Sequence, residues 1–434
     1  LQQLFAVRVD FPANTEYSAR AGSLAPMFLA AARRFSPAAL VIAATIVAGC
    51  GKTGPEPVAG GGPTRHLAPV EAEGAISLST RNTTRVGGAD TTVDAAAVAR
   101  LVYPGLTSTS RPQAVVLVNQ RDWPAALSAS VLSGAPLNAP ILYAQGNTLP
   151  DVSLKALEAM NPQGASSLGG VQVIRIGTEA PVPARYSVRS LPASSPAGTA
   201  VEVEQLLVQA RGGSTPRQLI VLRTTPAEAL DMPAAGLAAE SGAPILLAEG
   251  PRLGPVSGTA IHAMHSPSIY VLDPASLGRG ALGVLAGLGK VTKIGGGETV
   301  EPVANAIAIA RFSDGSFGWG IKEPGHGLVF TNPSRPLDAP AAALLSASAD
   351  FGPLLLLSDS GGIPAELSAY LGDIQPAYSS APEFEAVRGV YNHGWLIGDE
   401  RAIPLVTQAE LDSLLEISPR QQSASSEASV LQPE

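Results

Sequence analysis

Four short stretches carry residue types and spacings that could do chemistry. "SDSGG" (358–362) has the form of a serine-protease nucleophile stretch, and "GCGKTG" (49–54) that of part of a phosphate loop. "KIGGGE" (293–298) is glycine-rich like a dinucleotide turn, and His262 and His265 stand three residues apart, as zinc ligands on a helix can. Each fails on its partners. A nucleophilic serine needs a histidine and an acid to take and hold its proton, and no matched context surrounds "SDSGG". A phosphate loop needs an earlier glycine, and that place is Ile46. The two histidines lack a third ligand, and "KIGGGE" lacks the G-x-G-x-x-G spacing. Cys50 is the only cysteine, which excludes an intramolecular disulfide and a multi-cysteine metal site. The expectation is a chain with no catalytic residue, no metal and no cofactor.

Binding residues are better represented. Arg121 in "NQRDWP", Arg223 in "LRTTPA" and Arg335 in "NPSRPLD" each follow a short apolar run. Arginine forks onto carboxylate or phosphate groups, and Trp123 offers a face on which a sugar can stack. In open parallel sheets, ligands bind beyond the carboxyl ends of the strands, where such loops lie. Solvated surface arginines would look the same in sequence, so the elements behind them matter.

Those elements recur. "APILYAQG" (139–146), "APILLAEG" (243–250) and "GPLLLLSDSGG" (352–362) place prolines at 140, 244 and 353, spaced by 104 and 109 residues. Upstream of each lies another echo: "AVVLVN" (114–119), "QLIVLR" (218–223) and "GLVFTN" (327–332). Between the echoes sit the Ala-rich stretches "WPAALSASVLSGAPLN", "AEALDMPAAGLAAESG" and "LDAPAAALLSASADFG". Short continuous apolar runs suit strands buried on both faces, and Ala-rich stretches suit helices. "VQVIRIG" (171–177), "KVTKIGGG" (290–297) and "VYNHGWLIG" (390–398) read as the closing strands of the repeats. Strand alternating with helix implies parallel sheets with right-handed crossovers. The fold class is α/β, with three tandem open parallel-sheet, Rossmann-like repeats near 80–180, 181–297 and 298–408. The tail 409–434 reads as disordered.

Composition agrees. The chain has 434 residues, 45% hydrophobic and 15% charged, which is rich enough in apolar side chains to fold. The net charge of −8 and the lack of a Lys/Arg run exclude a nucleic-acid binder, which needs a basic stripe. Residues 27–49 follow the order of a secretory signal: Arg33 and Arg34, an apolar stretch from Pro37 to Ala48, then small residues before Cys50. "VAGC" resembles a bacterial lipobox, in which the cysteine is lipidated and becomes the mature N-terminus. Residues 1–26 read as an upstream mis-start, and "GKTGPEPVAGGGPT" opens a flexible linker over 50–79. Cleavage before Cys50 would remove four arginines and two acids and leave a charge of about −10.

The repeats resemble the type 2 cell-wall-binding repeat family. The resemblance rests on "RVGGAD" (85–90) followed by "TTVDAAAVARLV", on "WPAALSA" (123–129), on "GAPILL" (242–247) and on "KIGGG" (293–297). It spans roughly residues 80–408. It implies three copies packed around a pseudo-threefold axis and non-covalent binding of a cell-wall glycopolymer, and the lipobox-like leader adds an extracytoplasmic location with a lipid tether to the membrane. The resemblance also implicates the I-L-L segments: Ile141 and Leu142, Ile245, Leu246 and Leu247, and Leu354, Leu355 and Leu356. The same words read bottom-up as buried strands, which border a groove only at their ends. Ala125 stands where the family's pattern has Asp, and "FGPLLLL" replaces "GAPILL" in the third repeat. The family's best-known ligands are anionic, against an acidic chain. A lipid-tethered solute-binding protein of a transporter is the alternative reading, although its two lobes fit a threefold repeat poorly. An envelope hydrolase is a third, without a site to support it.

Overall fold

The apolar runs form strands and the Ala-rich stretches form helices. In the computed structural model the described residues are 74–192, 194–223, 228–249, 252–295, 301–348, 352–378 and 391–419. The leader, Cys50 and residues 50–73 of the linker lie outside them, as do residues 420–434.

The chain opens with β1 (Ile76–Ser79), β2 (Thr83–Gly87) and α1 (Thr91–Val102). The first repeat continues with β3 (Val115–Asn119), α2 (Trp123–Ala129), β4 (Ile141–Ala144), α3 (Asp151–Met160) and β5 (Val173–Ile176). Next come β6 (Val188–Leu191), α4 (Pro196–Ala210), β7 (Gln218–Arg223), α5 (Glu228–Asp231), α6 (Pro233–Ser241), β8 (Ile245–Ala248), α7 (Pro255–Ala263) and β9 (Ser268–Leu272). After α8 (Arg279–Leu288), the third round runs β10 (Lys290–Ile294), α9 (Pro302–Arg311), β11 (Gly327–Thr331), α10 (Asp338–Ser348), β12 (Leu354–Leu356) and α11 (Ala365–Asp373). It ends with β13 (Ala377–Tyr378), β14 (His393–Ile397), α12 (Leu405–Leu414) and β15 (Ser418–Pro419).

Three large sheets result, ordered β4-β3-β5-β6, β8-β7-β9-β10 and β12-β11-β14-β2-β1, beside the two-stranded β13-β15. Every pairing in them is parallel except β1 against β2. The order exposes a pattern that the sequence hid. In each sheet the strand that precedes the next repeat's first helix sits beside the closing strand: β6 beside β5, β10 beside β9, and β2 beside β14. The first repeat's "RVGG" strand thus completes the third sheet, across more than 300 residues, and the ring closes on itself. "KVTKIGGG" is corrected accordingly. It occupies the place of β2 and β6, whereas Ser268–Leu272 is the counterpart of β5 and β14.

Two further boundaries move. Ile76–Ser79, within the stretch read as linker, forms a strand, and order extends past residue 409 through α12 to Pro419. The second follows from burial: Leu411 and Leu415 enter the core, and β15 pairs with β13.

The middle of the ring is made of alanine. The helices α2, α6 and α10 each pack against the other two, directly or through the turn Ser130–Ser133 that extends α2. Small side chains let the backbones approach closely. A Cβ on Gly134 would stand 1.8 Å from the Ala239 carbonyl oxygen, and one on Gly236 would stand 2.6 Å from Ser346 Oγ.

Candidate functional site

The strand pairings set the repeats in a common register. Ile141, Ile245 and Leu354 face Val116, Ile220 and Val329, so the next register places Asn119, Arg223 and Asn332 in equivalent positions. Arg223 therefore ends its strand where the other repeats have asparagine, and the three arginines are not symmetry mates. Asn119 Oδ1 accepts from the Arg121 and Gly146 amides (3.1 and 3.3 Å), and Asn332 Nδ2 donates to the Asp359 and Ala402 carbonyls (3.1 and 2.8 Å). Both asparagines tie the strand-end loops together. Arg223 does so differently, donating from Nη1 to Ser276 O at 3.0 Å.

The three arginines also differ in exposure. Arg121 is exposed, Arg223 is half-buried, and the Arg335 side chain is only 15% accessible. Arg335 is a structural clamp. Its Nη2 pairs with Asp94 on α1, and its Nε lies 3.0 Å from Asp338 Oδ2 at the start of α10. Both carboxylates are fully buried. Gly88 N donates to Asp94 Oδ1 at 2.6 Å. Burial pushes the Asp94 carboxyl up to about 6, against the pull of Arg335, and pushes Asp338 well above the usual carboxylate range. Arg85 is buried nearby, donating to Gln408 Oε1 (3.0 Å) and to the carbonyls of Gly398 (3.1 Å) and Ile403 (2.7 Å). This seam joins the first helix to the third repeat.

The apolar candidates are core. Ile141, Leu142, Ile245, Leu246, Leu247, Leu354, Leu355 and Leu356 are each at most 2% exposed, and Trp123 is buried beside them at the start of α2. Strands covered by helices on both faces have no free face to offer, which is the reading their continuous apolar runs favoured. Of the candidates, only Arg121 stands out in solvent. It projects from a polar shelf with Asn119, Gln120 and Asn147, where Thr92 Oγ1 donates to Gln120 Oε1 (3.1 Å) and Asn147 Oδ1 accepts from the Glu179 amide (2.9 Å).

Sequence reasoning missed Asp94 and the acids Asp122, Asp231 and Asp338. The signal was present: "RDWPAA", "LDMPAA" and "LDAPAA" align on an Asp-x-Pro-Ala-Ala word. Asp122 caps α2 by accepting from the Ala125 amide, Asp338 meets Arg335, and Asp231 is buried with Asp273 and Glu228 near it. Burial first, then those two acids, holds Asp231 well above its ordinary range. Among the described residues, no group of three His, Cys, Asp or Glu side chains could hold a metal ion, and no helix is long and apolar enough to cross a membrane. "SDSGG" is a turn: Ser358 N donates to Gly362 O and Gly361 N to Ser358 O, and Ser358 Oγ meets Ser360 Oγ rather than a histidine.

No family model matches the chain, and no curated protein matches it. Among solved structures, Cwp6 from Clostridium difficile superposes with a TM-score of 0.59 at 16% identity, over 79% of this chain and 51% of that one. Cwp8 from Clostridium difficile gives 0.57 at 16% identity, over 78% and 53%. This chain thus spans about half the length of those structures. At such identity the likeness is one of fold: the arrangement of parallel α/β units described above is shared with both.

Proposed function

We propose that this chain is a non-enzymatic protein of the bacterial cell envelope that holds a cell-wall glycopolymer through its three α/β repeats. The observation that carries this reading is the fold likeness to Cwp6 and Cwp8 over nearly four-fifths of the chain. The polar shelf around Arg121 supplies the contact surface. Its amides and one exposed guanidinium suit hydroxyls and scattered anionic groups of a sugar chain. The sequence before Cys50 adds a lipid anchor to the proposal, which places the repeats outside the cytoplasmic membrane. Three sheets closed in a ring do not resemble the two lobes and hinge of a transporter's solute-binding protein.

The test is co-sedimentation of the purified chain with isolated sacculi, before and after their secondary polymers are removed. Binding that disappears with the polymers supports the proposal, and binding to neither preparation refutes it. Arg121→Ala should weaken sedimentation severalfold while moving stability by no more than about 0.5 kcal/mol, since exposed substitutions seldom do more. Mass spectrometry of the membrane fraction should find a diacylated Cys50 peptide.

A further inference from the structure

Each repeat has a cleft between its first and third helices: α1 with α3, α4 with α7, and α9 with α11. Matching burial makes the comparison firm. The ninth helical position is buried in all of the first helices, and it is Ala99, Glu204 and Ala310 in turn. In two repeats the chain covers its own cleft. The connection from helix to strand is twelve residues long in the first repeat (103–114) and fifteen in the third (312–326), but seven in the second (211–217). In the first repeat it passes so close to α3 that a Cβ on Gly105 would stand 2.0 Å from the Ala159 carbonyl oxygen. In the third, Ile321 N donates to Ala310 O (2.9 Å) and Tyr370 OH to Ile321 O (3.2 Å). There the Arg311 guanidinium also lies over the Tyr370 ring, 5.0 Å from its centroid, and pairs with Asp373.

The second repeat lacks every part of that cover. Gln205, Ala260 and Ala263 stand at the positions of Arg311, Tyr370 and Asp373. What remains is a groove of about 800 Å³ lined by Val201, Val208, Val256, Ala260 and Met264, with Glu204 as the charged residue of its wall. Glu204 is 7% exposed, in place of the alanines that let the other clefts close. From Val201 to Gln209 the groove follows α4 for about 12 Å, the length of roughly four extended residues. We infer that this groove binds a short peptide segment with one lysine or arginine among small apolar residues, its cation meeting Glu204 much as Arg311 lies over the third repeat's cleft. Apolar walls take the flanking side chains, and a desolvated carboxylate strongly prefers a cation to water. Burial holds the Glu204 carboxyl above its ordinary range, so an arriving cation favours the charged form and binding weakens on acidification. The site is separate from the shelf around Arg121 and goes beyond the proposed polymer binding.

The test is fluorescence polarisation of a dye-labelled Ala-Val-Lys-Val-Ala peptide titrated with the full chain. Saturable binding is expected, weakened at least tenfold by Glu204→Gln and equally by norleucine in place of the lysine. Gln205→Arg with Ala260→Tyr and Ala263→Asp, which rebuilds the third repeat's cover, should abolish it, with circular dichroism confirming the fold. Absence of saturable binding, or equal affinity of the norleucine peptide, overturns the inference. Sedimentation with sacculi should be unchanged in Glu204→Gln. Its loss would assign the groove to the polymer and overturn the peptide reading, whereas failure of the polymer reading leaves the peptide titration intact.

Discussion

At the scale of single residues, arginines that look alike in sequence do different work. Arg335 is the cation set between the buried carboxyls of Asp94 and Asp338, so Arg335→Ala should destabilise the fold by about 3 kcal/mol or more at neutral pH, measured by urea unfolding. Part of that loss should return at pH 5, where Asp94 takes up its proton. Arg121→Ala should leave the unfolding midpoint in place. The seam also confers a pH dependence. Asp94 ionises in the folded chain at about 6, above its ordinary 3.8, so the folded state holds a proton that the unfolded state releases between those values. Its contribution to stability is complete below 3.8 and is lost as pH rises through about 6. Asp94→Asn is a compatible replacement, because Asn305 fills the equivalent place in the third round. Wild type should lose on the order of 2 kcal/mol more than Asp94→Asn between pH 4 and pH 7.5. Equal slopes would remove Asp94 from the account.

At the scale of elements, the repeated words were legible because two-sided burial writes continuous apolar runs, and close helix packing selects alanine. The strands β3, β7 and β11 lie in separate sheets at equivalent central places, as the recurrence of "AVVLVN", "QLIVLR" and "GLVFTN" implies. Leu246 illustrates the consequence. It is fully buried between β7 and helices, so Leu246→Asp forces an unpaired charge into the core. Loss of soluble, cooperatively unfolding protein is the expected outcome. A stable Leu246→Asp chain that loses only sacculus binding would return the Ile-Leu-Leu segments to the list of contact residues. The misassigned "KVTKIGGG" has a plain cause. "VIRIG", "WLIG" and "KVTKIG" are all short apolar runs that end in glycine, and composition does not say which neighbour a strand pairs with.

At the scale of the whole molecule, the ring depends on its first strand. β2 pairs with β14 through Thr83–Val86, and Asn82 N donates to Asp412 Oδ1 at 2.7 Å while Asn82 Nδ2 donates to Asp412 O at 2.9 Å. A chain lacking residues before Asp90 should leave β14 as an exposed edge and strand Gln408 without Arg85. Hydrogen exchange should then accelerate first at Trp395–Ile397 in the third sheet, not in the first repeat that was shortened. Acceleration confined to α1 and β3 would show that the ring does not close as described.

The sequence alone determined the α/β class, the threefold recurrence and the buried strands, because periodicity and composition are local and additive. It could not tell an exposed Arg121 from a clamped Arg335, since each sits in a polar loop after a strand and only the partners differ. Nor could it show that the first strand belongs to the last sheet, or that one cleft of three stands open. Those are outcomes of which segments meet across hundreds of residues. They turn on the positions of Asp94 and Asp338 about one guanidinium, and on the lengths of three connections, which gain meaning only when the repeats are laid side by side in space.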